Sequence, residues 1–179
     1  MTTYRTYVTI PHSTYDEWRS NTLGNQYDVD GFPSDQPFQC WDFAAEFWHN
    51  LGFPNGYPTN AGTHAAYGIW DDRTANAGNQ FDLIYDKTQI KRGDVIIYNY
   101  FTGNPYGHVG FADSDYNGTN SLNILSQNNN ATSVTVYNYN LAYFRGAFRY
   151  RGWHQPTPSL TSDNRFKWVL YARKLRKKY

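Results

Sequence analysis

Hydrophobic positions recur with two different spacings along this chain. Before residue 80 they fall three or four positions apart, as in helices with one buried face. The spacing predicts a helix over residues 13–22, with a Ser-Thr pair to cap its start and Gly24 to end it. A second helix is predicted over residues 40–51, followed by a glycine, and a short third helix near residues 63–70.

Beyond residue 80 the period falls to two, or the apolar residues form short runs bounded by Gly, Asn or Pro. Both patterns are typical of β-strands. The predicted strands cover residues 81–85, 94–100, 108–113, 122–127, 133–137 and 146–150. Helices followed by strands indicate an α+β fold, in which N-terminal helices pack on a five- to six-stranded antiparallel sheet.

Composition narrows the class of protein. The chain has 179 residues, of which 40% are hydrophobic, and it holds 17 Tyr, 11 Phe and 6 Trp. This content excludes a disordered chain and a long coiled coil. No apolar stretch approaches the roughly 18 residues of a transmembrane helix, and the N-terminus lacks the pattern of a secretion signal. The single cysteine, Cys40, excludes an intramolecular disulfide and a zinc site of several thiolates.

Charge and composition divide the chain into three parts. Residues 155–164 have the Pro, Ser and Thr content of a linker, so one folded domain is predicted over residues 1–154. Residues 165–179 form a basic tail with seven Lys or Arg and no acidic residue, which fits an edge strand or a basic amphipathic helix. A basic tail does not indicate a nucleic-acid partner, because such proteins spread basic groups over a folded face.

Cys40 stands at the first position of the second predicted helix. A thiol at that place faces the positive end of the helix dipole and unpaired backbone N–H groups, both of which favour the thiolate. Cys40 is therefore a candidate nucleophile. The alternative is that Cys40 is a small buried hydrophobic residue.

His108 is the histidine best placed to serve as a base. It follows a glycine and begins a predicted strand, so its ring can project from the mouth of the sheet. A general base also needs a partner that fixes its tautomer. The end of the next predicted strand carries Ser126 and Asn128, which an antiparallel pairing places beside the start of the His108 strand. The alternatives are a structural histidine and an ordinary turn at residues 128–130.

Four blocks of the sequence resemble the CHAP domain, the cysteine- and histidine-dependent amidohydrolase/peptidase domain. They are Gln39-Cys40-Trp41-Asp42 at a helix start, Arg92-Gly93-Asp94-Val95 entering a strand, Gly107-His108-Val109-Gly110 and Leu125-Ser126-Gln127-Asn128. Their order and spacing are similar to those of the family. Upstream, Asp28-Val29-Asp30-Gly31 resembles the beginning of CHAP domains in phage lysins of Gram-positive hosts, so the resemblance spans about residues 13–150.

The resemblance implies a papain-like fold and hydrolysis of an amide bond in peptidoglycan. Cys40 would be the nucleophile, His108 the general base and later acid, and Asn128 the group that orients His108. The backbone N–H of Cys40 and the side chain of Gln39 would form the oxyanion hole. Related domains often have Glu at the position of Ser126, so we expect a Cys-His-Asn triad or a slower enzyme.

The resemblance also implies calcium, which many CHAP lysins bind in the loop before the nucleophile. The ligands would be the carboxylates of Asp28, Asp30, Asp35 and Asp42 and the backbone carbonyl of Phe32, since calcium takes six to eight oxygens. The segment from Asp30 to Cys40 is a few residues longer than in the most similar lysin pattern. The alternative is an acidic loop in which Asp42 stabilises its helix through the dipole alone.

Three aromatic residues are candidates for binding the wall polymer, namely Trp41, Trp70 and Tyr106. Flat rings pack against sugar and peptide chains with little loss of rotamer entropy. Trp70 and Tyr106 are favoured because they lie in irregular segments beside the predicted site. The basic tail would contact anionic wall polymers, or it would only keep the chain end solvated.

These features predict a phage endolysin or virion-associated lysin that acts on the bacterial cell wall, as an N-acetylmuramoyl-L-alanine amidase or an endopeptidase. An endolysin would stay in the host cytoplasm until a holin releases it. One alternative is a catalytically silent wall-binding domain of a virion. Another is a papain-like enzyme that acts on proteins.

Overall fold

The helices that precede the sheet agree with the hydrophobic spacing. The computed structural model describes residues 12–30, 38–129 and 131–154. Helix α1 covers Tyr15–Thr22 and helix α2 covers Cys40–Asn50. Thr14 caps α1, because its hydroxyl accepts a hydrogen bond from the backbone N–H of Glu17 at 3.1 Å.

The region between α2 and the sheet differs from the prediction. The expected short helix is a 3-10 helix at Ala66–Trp70, and a further short helix, α3, at Arg73–Ala77 was not predicted. Five residues make too few turns for periodicity to register. A last helix, α4, covers Arg151–His154. The predicted linker and tail, residues 155–179, lie outside the described residues.

The strands form one antiparallel sheet of six strands, which confirms the predicted α+β fold. They are β1 (Phe81–Ile84), β2 (Val95–Tyr98), β3 (His108–Ala112), β4 (Ser121–Ser126), β5 (Thr135–Asn140) and β6 (Phe144–Tyr150). Their spatial order is β1-β6-β2-β3-β4-β5. The chain therefore crosses from the β5 edge to the other side of β2 through a short 3-10 helix at Leu141–Tyr143.

Alternating side chains divide the hydrophobic residues between the two faces of the sheet. On one face, Phe111 packs against Phe43 of α2 at 5.1 Å between ring centroids, and Trp18 of α1 stacks on Phe43 at 5.4 Å. On the other face, Tyr98 and Ile124 belong to a second buried cluster. The first face joins the helices to the sheet. Among the described residues, no helix has both the length and the apolar character needed to cross a bilayer.

Candidate active site

A cleft of about 520 Å³ lies where the start of α2 meets the start of β3. Seven residues that the sequence singled out line it: Asp30, Gln39, Cys40, Trp41, Tyr106, His108 and Asn128. The remaining lining residues are Asn60, His64, Ala65, Ala66, Asn104 and Gly107. The fold thus brings the predicted nucleophile and the predicted base to one cavity.

Cys40 is the first residue of α2 and is half-buried. Burial raises the pKa of its thiol to about 11, although backbone N–H groups, chiefly that of Val109, act in the opposite direction. The N–H groups of the helix start therefore act in the expected direction, but the net pKa is raised. Burial outweighs the N–H groups, and the charge of Asp42 adds to the rise. The resting thiol is neutral and needs a base to accept its proton.

Gln127 fastens the segment before Cys40 to the sheet. Its side chain is fully buried, and its Oε1 accepts a hydrogen bond from the backbone N–H of Tyr27 at 2.8 Å. Its Nε2 donates to the backbone carbonyls of Tyr27 at 2.7 Å and Gln39 at 3.0 Å. One buried amide therefore ties β4, the loop at Tyr27 and the residue before the nucleophile together.

Asp42 fastens the same segment from within α2. Its carboxylate is buried, and its Oδ2 accepts a hydrogen bond from the backbone N–H of Gln39 at 2.7 Å. Its Oδ1 accepts from the backbone N–H of Val29 at 2.9 Å. An acidic side chain in the first turn also stabilises the positive end of the helix dipole. The carboxylate of Asp42 therefore holds the start of α2 and the acidic loop around Val29 together.

Packing surrounds the imidazole of His108. The residue is 4% exposed, and its Nε2 has no hydrogen-bond partner within the described part of the chain. Burial lowers the pKa of His108 to about 4, so the ring is neutral at pH 7 and can accept a proton. The ring of Tyr139 stacks on it, with centroids 5.1 Å and planes 9° apart. The preceding Gly107 has φ 68°, and a Cβ there would collide with the carbonyl of Tyr98.

The two candidate partners of His108 lie in different surroundings. Asn128 lies two residues beyond β4, is exposed, has φ 60° and lines the cleft. Ser126 ends β4 and is 0% exposed, and its Oγ has no hydrogen-bond partner among the described residues. In residues 12–30, 38–129 and 131–154, neither side chain is hydrogen-bonded to His108.

Two of the three candidate substrate-binding rings lie at the cleft. Tyr106 is 59% exposed there, and Trp41 lines the same cavity. Trp70 does not line it. Its ring is 7% exposed and packs edge-on against Phe148 at 5.4 Å between centroids. The structure corrects this expectation, because the 3-10 helix turns Trp70 into the core.

Three of the predicted calcium ligands converge beside the cleft. Asp28, Asp30 and Asp42 each offer a carboxylate oxygen, and these atoms lie within 4.8 Å of one another. Burial raises the pKa of Asp42 to about 6, and the charge of Asp30 adds to the rise. A hard divalent cation would offset this repulsion, so the donor set fits calcium. The other two predicted ligands, Phe32 and Asp35, lie outside the described residues.

Sequence reasoning missed three residues that shape the site. They are Gln127, which bonds to the segment before Cys40, and Asn104 and Tyr139, which lie beside His108. The Gln127 contact with Tyr27 joins residues 100 positions apart. Periodicity carries no signal for contacts of that kind, because it reports only which face of an element is buried.

Known proteins resemble this chain in sequence and in fold. The CHAP domain profile matches residues 15–128. A D-alanyl-L-alanine endopeptidase of Streptococcus phage B30 is 39% identical over 109 residues, which are 59% of this chain and 23% of that protein. The chain thus spans about a quarter of the length of this curated relative. The crystal structure of the wild-type endolysin LysIME-EF1 has a TM-score of 0.60 at 21% identity, covering 79% of this chain and 66% of the other.

Proposed function

The chain belongs to the CHAP domain family, and we propose on that premise that it is a peptidoglycan hydrolase. The observation that carries the proposal is the cleft that places Cys40 and His108 together with Gln39. The bond cleaved is an amide of the wall peptide. An endopeptidase is favoured over an N-acetylmuramoyl-L-alanine amidase, because the relative from phage B30 is an endopeptidase.

Catalysis begins with transfer of the Cys40 proton to the neutral His108. The thiolate attacks the carbonyl carbon, and the backbone N–H of Cys40 and the side chain of Gln39 stabilise the negative oxygen. Collapse of this intermediate breaks the C–N bond, His108 gives its proton to the departing amine, and Cys40 remains as a thioester. His108 then takes a proton from water, the hydroxide adds to the thioester, and the carboxylic acid leaves as the thiol is restored.

Asn128 is the proposed partner that selects the His108 tautomer. Its place at the cleft supports this role, and its amide can bond to a ring nitrogen without adding charge. A cysteine nucleophile depends less on its base than a serine does, since free thiols are partly ionised and intrinsically reactive. A neutral partner in place of a carboxylate is therefore compatible with catalysis.

Turbidity of purified Gram-positive cell walls tests the hydrolase. The wild-type protein is expected to clear the walls, whereas Cys40→Ala and His108→Ala leave them turbid. Cys40→Ala should still sediment with walls, which separates binding from cleavage. Mass spectrometry of the released fragments identifies the bond, because an endopeptidase creates a new amino terminus within the peptide and an amidase frees the whole peptide from the sugar.

A silent wall-binding domain of a virion is the second candidate. It is favoured by Ser126, which stands where related domains often have Glu, and by the raised pKa of the Cys40 thiol. The wild-type protein would then sediment with walls from several Gram-positive species and clear none of them. That result would favour this candidate over the hydrolase. Iodoacetamide labelling of Cys40 that is no faster than that of a model thiol, and that His108→Ala leaves unchanged, would support the same conclusion.

We propose that Asp28, Asp30 and Asp42 hold a calcium ion. Asp42 also accepts the Gln39 N–H, so the ion would stiffen the start of α2. Calcium chloride is expected to raise the Tm, a chelator to reverse the rise, and Asp28→Asn to reduce it. Asp115→Asn is the matched control, because this exposed carboxylate pairs with Lys91. An unchanged Tm in wild type with calcium would remove the proposal.

The place of action follows from the same proposal. A phage lysin reaches the wall from the host cytoplasm after a holin acts, or from a virion that carries it. Residues 165–179 would contact anionic wall polymers, since they hold seven basic residues and no acidic one. Deleting them should weaken sedimentation with walls at low salt more than at high salt.

A further inference from the structure

Tyr139 covers one face of the His108 ring. The two rings are nearly parallel, with planes 9° apart and centroids at 5.1 Å. Tyr139 also contacts Tyr98, at 4.3 Å between centroids. Tyr139 lies near the end of β5, just before the crossing helix Leu141–Tyr143.

Asn104 connects Tyr139 to the turn before His108. Its Nδ2 donates to the carbonyl of Gly107 at 3.0 Å, and its Oδ1 accepts from the backbone N–H of Tyr106 at 3.1 Å. An interaction with the same side chain opposes the rise that burial causes in the pKa of Tyr139, so Asn104 and Tyr139 are close neighbours. One amide is therefore hydrogen-bonded to the backbone that carries His108 and lies next to the ring that covers His108.

The His108 ring requires such packing because its Nε2 has no hydrogen-bond partner within the described ranges. The orientation of an imidazole decides which nitrogen faces a nucleophile. An imidazole that is free to turn about its Cβ–Cγ bond would spend part of its time facing away from Cys40. A small displacement of a reacting group has a large effect on rate, because proton transfer needs a narrow range of distance and direction.

We propose that Tyr139 is a positioning residue, whose ring holds the His108 imidazole in the plane from which it accepts the Cys40 proton. Tyr139 acts through His108 rather than on the substrate. The proposal rests on the proposed hydrolase function. It predicts that the aromatic plane matters more than the hydroxyl, because it is the plane that stacks on the imidazole.

Kinetics on solubilised wall fragments separate the plane from the hydroxyl. Tyr139→Leu should lower kcat about tenfold or more, with KM changed by less than about threefold, because only the base is disturbed. Tyr139→Phe keeps the plane and should retain at least about a third of kcat. Tyr137→Leu is the matched control, since Tyr137 lies on the same strand and is 41% exposed. It should leave both constants unchanged.

Two results would overturn the stacking role. One is wild-type kcat in a folded Tyr139→Leu protein, and the other is an equal loss in Tyr139→Phe, which would point to the hydroxyl. Tyr139→Met replaces Tyr139→Leu if the latter unfolds at the assay temperature, because the flexible thioether can adapt to the space that the ring leaves without presenting a plane.

Nitrogen NMR of isotope-labelled histidine gives a readout that needs no substrate. The His108 signals are assigned by their loss in His108→Gln. Wild type and Tyr139→Phe should show one tautomer, and Tyr139→Leu should show averaged or broadened signals. The spectrum of Tyr139→Leu could differ from that of wild type while wild type fails to clear walls. That pair of results would exclude the hydrolase but keep the role of Tyr139 in holding the His108 ring. Identical spectra in wild type and Tyr139→Leu would overturn the inference whatever the walls show.

Discussion

The two sides of the cleft are held in place by different interactions. On the nucleophile side, the buried side chain of Gln127 donates to the backbone carbonyl of Gln39, and that of Asp42 accepts from the backbone N–H of Gln39. On the base side, His108 lies against Tyr139, and its Nε2 lacks a hydrogen-bond partner among the described residues. Directional bonds fix the first side, and ring packing fixes the second.

The difference corresponds to what each side must do. The start of a helix leaves backbone N–H groups without helical partners, so the nucleophile side needs side-chain acceptors to be stable. The general base must gain and lose a proton within each turnover. A fixed hydrogen-bond partner that only donates, or only accepts, would favour one of its protonation states. A stacked, buried imidazole stays neutral at rest. Substitutions on the first side should therefore affect stability most, and those on the second side should affect pH response and rate.

The largest expected effect is loss of stability in Gln127→Leu. The substitution removes three hydrogen bonds that the buried amide forms with the backbone of Tyr27 and Gln39. The free energy of unfolding should fall by about 3 kcal/mol or more, because each unsatisfied buried group costs about 1–3 kcal/mol. Urea unfolding measures the loss. Gln89→Leu, at an exposed glutamine, is the control. A loss below about 1 kcal/mol would mean that packing holds this side as well.

The next effect is a dependence of stability on pH from His108. Its folded pKa is about 4, whereas an unfolded histidine titrates near about 6.5. Between these values the unfolded state binds more protons, so stability rises with pH and is fully present above about pH 7. The contribution is lost as pH falls toward 4, by up to about 3 kcal/mol.

His108→Gln isolates this contribution from the carboxylates. Tyr139 stacks on the ring, Tyr98 is its register partner on β2 and Cys40 lines the same cleft. All three have raised pKa values and do not titrate in the window. The difference in unfolding free energy between wild type and His108→Gln should therefore slope from about pH 6.5 to 4 and be flat above about pH 7. Parallel curves throughout would show that the imidazole titrates normally in the folded protein.

A smaller effect is expected at Asn128. Asn128→Gly removes the proposed tautomer partner while keeping the backbone relaxed, because glycine accepts the observed φ of 60°. The kcat on wall fragments should fall about tenfold, which corresponds to about 1.4 kcal/mol, with the Tm nearly unchanged. Asn117→Gly, in an exposed loop, controls for added chain flexibility. Wild-type kcat in Asn128→Gly would leave Tyr139 as the main determinant of ring orientation.

The smallest effect is expected for Ser126→Ala. The Oγ of Ser126 is buried without a hydrogen-bond partner among the described residues, so its removal relieves a desolvated polar group. Unfolding free energy should stay the same or rise by up to about 1 kcal/mol, and kcat should change by less than about twofold. A tenfold fall in kcat would instead make Ser126 the hydroxyl that orients His108.

Local patterns predicted the elements that place the site. The predicted helix over residues 40–51 is observed at Cys40–Asn50, and the predicted strand over residues 108–113 at His108–Ala112. Both have several apolar positions in a fixed period. The helix Arg73–Ala77 was missed because five residues offer no such pattern.

The sequence predicted which chemically active residues share the cleft, but not how deeply they are buried or which side chains surround them. Cys40, His108, Asn128 and Gln39 line one cleft, as their family resemblance implied. The net rise of the Cys40 pKa was not predicted, because burial outweighs the backbone N–H groups at the helix start. Trp70 was placed beside the substrate and is instead part of the core, packed on β6.

Local sequence was enough to locate a helix that starts at a cysteine and a strand that starts at a histidine, because each signal lies within a dozen neighbouring residues. Tertiary contacts decided how these groups behave. Burial favours the neutral thiol and the neutral imidazole, Gln127 joins Tyr27 and Gln39 although it lies 100 and 88 positions from them, and Tyr139 covers the base. Burial and ring contacts depend on residues that only folding brings together, so spacing along the chain does not encode them.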